Sequence, residues 1–171
     1  MELTRDQRLQ REISKARKLF ERCRDAVGQE PGLLRLLSGY SLAIGETQKL
    51  MRQLNVGAAC TDCAKKEAGG CCYEGIESGY NSVLLLINLL MGCEIPDFQE
   101  VPGSCFFVGE RGCKLEARYY YCLHYLCPAL QDALGPDAIG DLLGVLGREL
   151  AAGWELERAL QRFFTKNQQE S

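Results

Sequence analysis

Ile76-Glu-Ser-Gly-Tyr-Asn-Ser-Val-Leu-Leu-Leu-Ile-Asn-Leu-Leu-Met91 is the stretch on which the fold turns. It reads as one short helix, apolar almost all round, and such a helix belongs inside a molecule with other elements packed about it. Gly92 ends it. Its longest apolar run, Val83 to Met91 interrupted by Asn88, is about half the length that spans a bilayer.

Upstream of the buried helix, two longer helices are expected. Thr4 followed three residues later by Gln7 is a capping-box start, and Gly28 ahead of Pro31 is a stop. Between them Leu9, Ile13, Ala16, Phe20, Cys23 and Val27 recur at steps of four and three. Pro31 suits the first turn of the second helix. There Leu33, Leu37, Tyr40, Ile44, Met51 and Leu54 keep the rhythm, with Thr47 the one polar intruder. The short Gly-Gln-Glu-Pro connection predicts an antiparallel helical hairpin over residues 1–55. Each seam is narrow, about two positions in seven, which suits packing on the rest of the chain or on a protein partner or second copy.

Downstream the pattern is less regular. Periodicity stops between Asn55 and Tyr73, and Glu94 to Gly112 is irregular, with a small hairpin expected from Cys105 to Cys113 around the turn at Gly109 to Gly112. Leu115 to Leu126 reads as an aromatic-rich helix, and Pro128 either kinks it or starts another. After Gly135-Pro136 a final helix runs to about residue 166, with Gly153 as a candidate bend. The expected fold is therefore mainly α: a helical hairpin plus a helical bundle around a loop-rich cysteine site, with little or no β. Residues 1–55, 56–130 and 131–171 form its hairpin, its cysteine region and its C-terminal helical segment, within one compact domain.

The composition is that of an ordinary folded protein, 46% apolar and 25% charged in 171 residues. A net charge of −3 argues against nucleic acid as a partner, and the early arginines and lysines alternate with acids as on a solvated helix face. The polar N-terminus has no secretory character, and no stretch is long enough to enter a membrane, so a cytoplasmic protein is expected. In a reducing compartment ten cysteines point to metal or redox chemistry before disulfides.

Eight of those cysteines fall into close pairs: Cys60 with Cys63, Cys71 with Cys72, Cys105 with Cys113, and Cys122 with Cys127. The two-residue gap in Cys60-Thr-Asp-Cys63 lets two thiolates face one metal across a tight turn. The adjacent Cys71 and Cys72 diverge if the segment is extended, which suits two metals or different irons of one cluster. Cys127-Pro128 echoes the cysteine–proline end of ferredoxin runs. Long irregular stretches are uncommon in a compact domain, and a metal centre supplies the order that regular elements supply elsewhere. Cys23 lies on the first helical seam as a buried apolar residue. Cys93 and His124 stay in reserve as ligands.

The pattern resembles the YkgJ-type cysteine-cluster family, a CxxCxxCC domain thought to chelate zinc or iron. The resemblance lies in Cys60-x2-Cys63, Cys71-Cys72, Cys105-Phe106-Phe107, Gly112-Cys113-Lys114-Leu115 and Arg118-x3-Cys122-x2-Tyr125-x-Cys127, and covers residues 60–128. It implies a metal centre held by about eight cysteines. Two departures stand out: seven residues separate Cys63 from Cys71, and Tyr119 follows Arg118 where the family has proline.

Two functions of different class follow. The first is an iron–sulfur protein, with [4Fe–4S] the expected cluster, in a redox, electron-transfer or accessory role to a partner enzyme. The second is a structural zinc module in protein interaction, with two four-cysteine sites. Phe106, Phe107, Tyr119, Tyr120 and Tyr121 would shield either centre from water. An enzyme in its own right is disfavoured. The chain has no radical S-adenosylmethionine motif, no phosphate loop and no His-Glu-x-x-His, and it has only one histidine.

Overall fold

The computed structural model describes residues 3–64 and 70–169, with side chains for 3–60 and 70–166. The fold is mainly α. Helices α1 (Arg5–Gly28), α2 (Pro31–Gln53), α3 (Val56–Ala64), α4 (Ser82–Leu90), α5 (Tyr120–His124) and α6 (Pro128–Gln169) are joined by a 3-10 turn, Ile76–Gly79, and one two-stranded hairpin. That hairpin pairs β1 (Val108–Gly109) with β2 (Gly112–Cys113), Val108 opposite Cys113.

The start of α1 is the expected capping box. The Thr4 hydroxyl accepts the Gln7 N–H at 3.2 Å, and the Gln7 side chain accepts the Thr4 N–H at 2.9 Å. The seam behind it is buried at Leu9, Ile13, Ala16, Cys23 and Val27. It is not spent on α2. Helix α1 lies chiefly against α4, and α2 chiefly along α6, while α1 and α2 touch far less. The expected hairpin is thus opened by what enters it. Helix α4, with Leu84 to Asn88 all buried, offers α1 more apolar surface than α2 can. Leu85, Leu86 and Ile87 are fully buried there, each a gain of about 1.5–3 kcal/mol over exposure.

Along α6 the partner positions are close enough to demand glycine. A Cβ on Gly153 would stand 2.9 Å from the Tyr40 ring, so Gly153 serves close helix–helix approach. The bend in α6 falls instead at Gly135, at φ 76° and ψ 167°, just before Pro136. Thr47, the polar residue in the α2 seam, sits against the buried Glu149 carboxyl of α6. Burial pushes that carboxyl up from its ordinary range, and one of its oxygens has no hydrogen-bond partner.

Three sequence expectations are corrected. Residues 56–64, expected to be irregular, form α3. Asn55, at φ 53°, turns the chain out of α2, its carbonyl accepts the Ala59 N–H, and Val56 is buried in a second apolar cluster with Leu123, Leu126, Leu130, Leu142 and Leu146. The stretch from Ile76 to Met91 is not one helix. The Asn81 side chain accepts the Val83 and Leu84 N–H groups, each at 2.9 Å, and restarts the chain as α4. Leu115 to Leu126 is helical only at Tyr120–His124. Before it, Leu115 and Ala117 are buried while Glu116 is exposed, on a chain that bends at 116–117. No helix among the described residues is long and apolar enough to cross a membrane.

Candidate thiolate metal centre

Asn88 is the polar residue that interrupts the most apolar helix, and it explains how the cysteine loops are held. Fully buried, its side-chain amide donates to the carbonyls of Ala117 (2.9 Å) and Leu84 (3.0 Å), and its oxygen accepts the Ala117 N–H at 3.0 Å. Ala117 is paired as though with a neighbouring strand, which keeps residues 115–119 out of a helix and carries the chain from Cys113 to Cys122.

Around that anchor three pieces of chain converge. The Cys105 N–H donates to the Cys72 carbonyl at 2.9 Å, beside an isolated bridge between Tyr73 and Ser104. The Lys114 N–H donates to the Phe107 carbonyl at 2.9 Å, closing the hairpin that ends in Cys113. Cys122 lies in the first turn of α5, its N–H on the Tyr119 carbonyl. The Glu77 carboxylate is buried, accepts the Gly75 N–H with both oxygens, and lies 3.6 Å from the Arg5 guanidinium.

Cys71, Cys72, Cys105, Cys113 and Cys122 thereby form one electrostatic neighbourhood. Hydrogen bonding from Cys72 pulls the Cys71 thiol down to about 6, while Cys72 is driven up by sharing that contact and by burial. The chain bends at 71–72 instead of running extended. Burial, together with the charges of Glu77 and neighbouring sulfurs, pushes Cys105 up to about 12. Burial and Cys113 push Cys122 up to about 11.

Cys60 and Cys127 belong to a different neighbourhood. Cys127 packs with Ala59 of α3 in the second apolar cluster, next to exposed Cys60. Positions 60 and 63 lie one turn apart on α3, not across a tight turn; the Cys63 side chain is outside the described residues. Cys23 is buried on the α1 seam, away from the loops. Cys93 is half-buried, and burial pushes its thiol up. His124 is exposed in the last turn of α5. Tyr80, Asn88 and Glu77 were not singled out from sequence. The only signal was polarity or bulk inside an apolar stretch.

The donor set has the chemistry of a site for a thiophilic cation. Thiols are soft donors, and the buried Glu77 carboxylate lies in the field of Cys105. Among the described residues no three Cys, His, Asp or Glu side chains converge closely enough to hold an ion as they stand, and no disulfide is formed. The chain matches no family model, no curated protein and no solved structure.

Proposed function

We propose that the chain is a thiolate-ligated metalloprotein carrying iron–sulfur, with a redox, electron-transfer or accessory role to a partner enzyme. The observation that carries this is the backbone bonding that draws cysteine-bearing loops together: the Cys105 N–H on the Cys72 carbonyl at 2.9 Å, and the short hairpin that ends in Cys113. Burial raises the Cys105 and Cys122 thiols above their ordinary range, and a cation would favour their thiolate forms. Free cysteines in a core need no such clustering.

Cys60 and Cys63 on α3, with Cys127 just ahead of α6, would supply a second group of donors. When bound, an iron–sulfur cluster would supply one-electron chemistry, and the protein's own residues would hold it, screen it and tune it.

Anaerobic purification followed by iron, zinc and acid-labile sulfide analysis tests the proposal. A brown protein with stoichiometric iron and sulfide is expected. A colourless protein with about two zinc ions per chain and no sulfide would replace the iron–sulfur reading by a structural zinc module. A protein with neither would end the metal reading.

A further inference from the structure

Tyr73 and Ser104 form an isolated antiparallel bridge between the two loops that carry Cys72 and Cys105. The backbone bonds on either side of it fix the register. The Cys105 N–H donates to the Cys72 carbonyl at 2.9 Å, and the Glu74 N–H donates to the Gly103 carbonyl at 3.3 Å. Cys72 therefore stands directly opposite Cys105, as Glu74 stands opposite Gly103. Facing residues of such an antiparallel pair lie about 5.5 Å apart at Cα and carry their side chains on the same face. A disulfide spans Cα separations of about 4.4–6.8 Å. The backbone alone thus brings these two cysteines within bonding reach.

The two thiols are unequal in access. Cys72 is exposed, Cys105 is buried at 4% exposure, and both are free. A small disulfide in solution meets Cys72 and is kept from Cys105, whose route to oxidation is the sulfur across the bridge.

We infer that Cys72 and Cys105 are a redox pair that closes by exchange with a small-molecule disulfide and so locks the loop at 70–75 to the loop at 101–105. The Cys72 thiolate attacks one sulfur of the small disulfide, forms a mixed disulfide and releases one thiol. The Cys105 thiolate then attacks the Cys72 sulfur and releases the second. The protein gives up two electrons and two protons, and the small disulfide becomes two thiols. Excess thiol reverses both steps. The pair needs two thiols and no cation, so the inference goes beyond the metal reading and does not rest on it.

The test titrates the full chain, purified reduced, with oxidised glutathione, both as isolated and with a chelator present. Chymotrypsin without reductant then cuts after Tyr73 and Phe98 and so parts Cys72 from Cys105. Mass spectrometry should find one Cys72–Cys105 link per chain with Cys23 still reduced, and the melting temperature should rise by roughly 5 °C or more. Cys71→Ser should keep the link. Cys72→Ser should lose it, and Cys105→Ser should leave Cys72 as a stable mixed disulfide with glutathione. A link through Cys71 in place of Cys72, or no Cys72–Cys105 link in either preparation, overturns the inference. Metal and sulfide content, measured on the reduced chain, judge the metal reading separately.

Discussion

In α1, α2, α4 and α6 apolar residues are buried by the helix they face, whereas the loops at 70–75 and 92–119 lean also on single polar side chains reaching backbone. Leu9, Ile13 and Ala16 need only a neighbouring apolar surface. Ala117 needs Asn88, the Ile95 carbonyl receives Arg17 at 3.0 Å, and the Ser104 carbonyl receives Gln99 at 2.5 Å. The difference teaches where stability is shared and where it is concentrated. A frame of many interchangeable apolar contacts loses a little at each change. A loop region pinned by a few hydrogen bonds loses much when one is removed.

The sharpest way to break this contrast is to take away the metal proposed above. Chelation under reducing conditions should strip amide protection from the loops at 70–75 and 92–119 while α1, α2, α4 and α6 remain protected, as read by hydrogen exchange with mass spectrometry. Cys122→Ser should act in the same direction and lose metal, and Cys23→Ala should retain it. Uniform loss of protection across the chain would show that frame and loops are one cooperative unit.

Next in size is Asn88→Ala. It orphans a buried N–H and carbonyl at Ala117, and should cost about 2–4 kcal/mol in urea unfolding. A cost below about 1 kcal/mol would mean that Ala117 finds other partners.

In the frame, Gly153→Val forces a side chain into the Tyr40 ring and should cost about 1–3 kcal/mol without altering metal content. Metal loss in that variant would tie α6 to the centre more closely than the comparison allows.

The smallest effect is at Glu149. Its folded-state carboxyl titrates above the unfolded one, so it contributes most to stability below the ordinary carboxylate range. That contribution is lost as pH rises through its raised value. Glu149→Gln should therefore flatten the fall in melting temperature from acid toward neutral pH, with a gain at neutral pH of roughly 1 kcal/mol or less.

What could be read from the sequence follows the same division. The Thr4 cap, the stop at Gly28, the α1 and α2 seams, the break at Gly135-Pro136 and the burial of α4 were all legible, because each depends on residues a few positions apart. The hairpin at Val108–Cys113 was legible from its glycines for the same reason. The irregular run at 115–119 was not, since its local pattern is helical and is overruled by Asn88, 29 positions away in sequence. Nor was the bend at Cys71 and Cys72, next to the bridge from Tyr73 to Ser104. Cys113 and Cys122 were legible as candidates by spacing.

The most direct test of the thiolate centre is X-ray absorption at the edge of whichever metal the purified chain carries. The account predicts a first shell of sulfur alone, at about 2.3 Å for zinc, that loses amplitude in Cys122→Ser. A shell of nitrogen and oxygen, or one unchanged by that substitution, would contradict it.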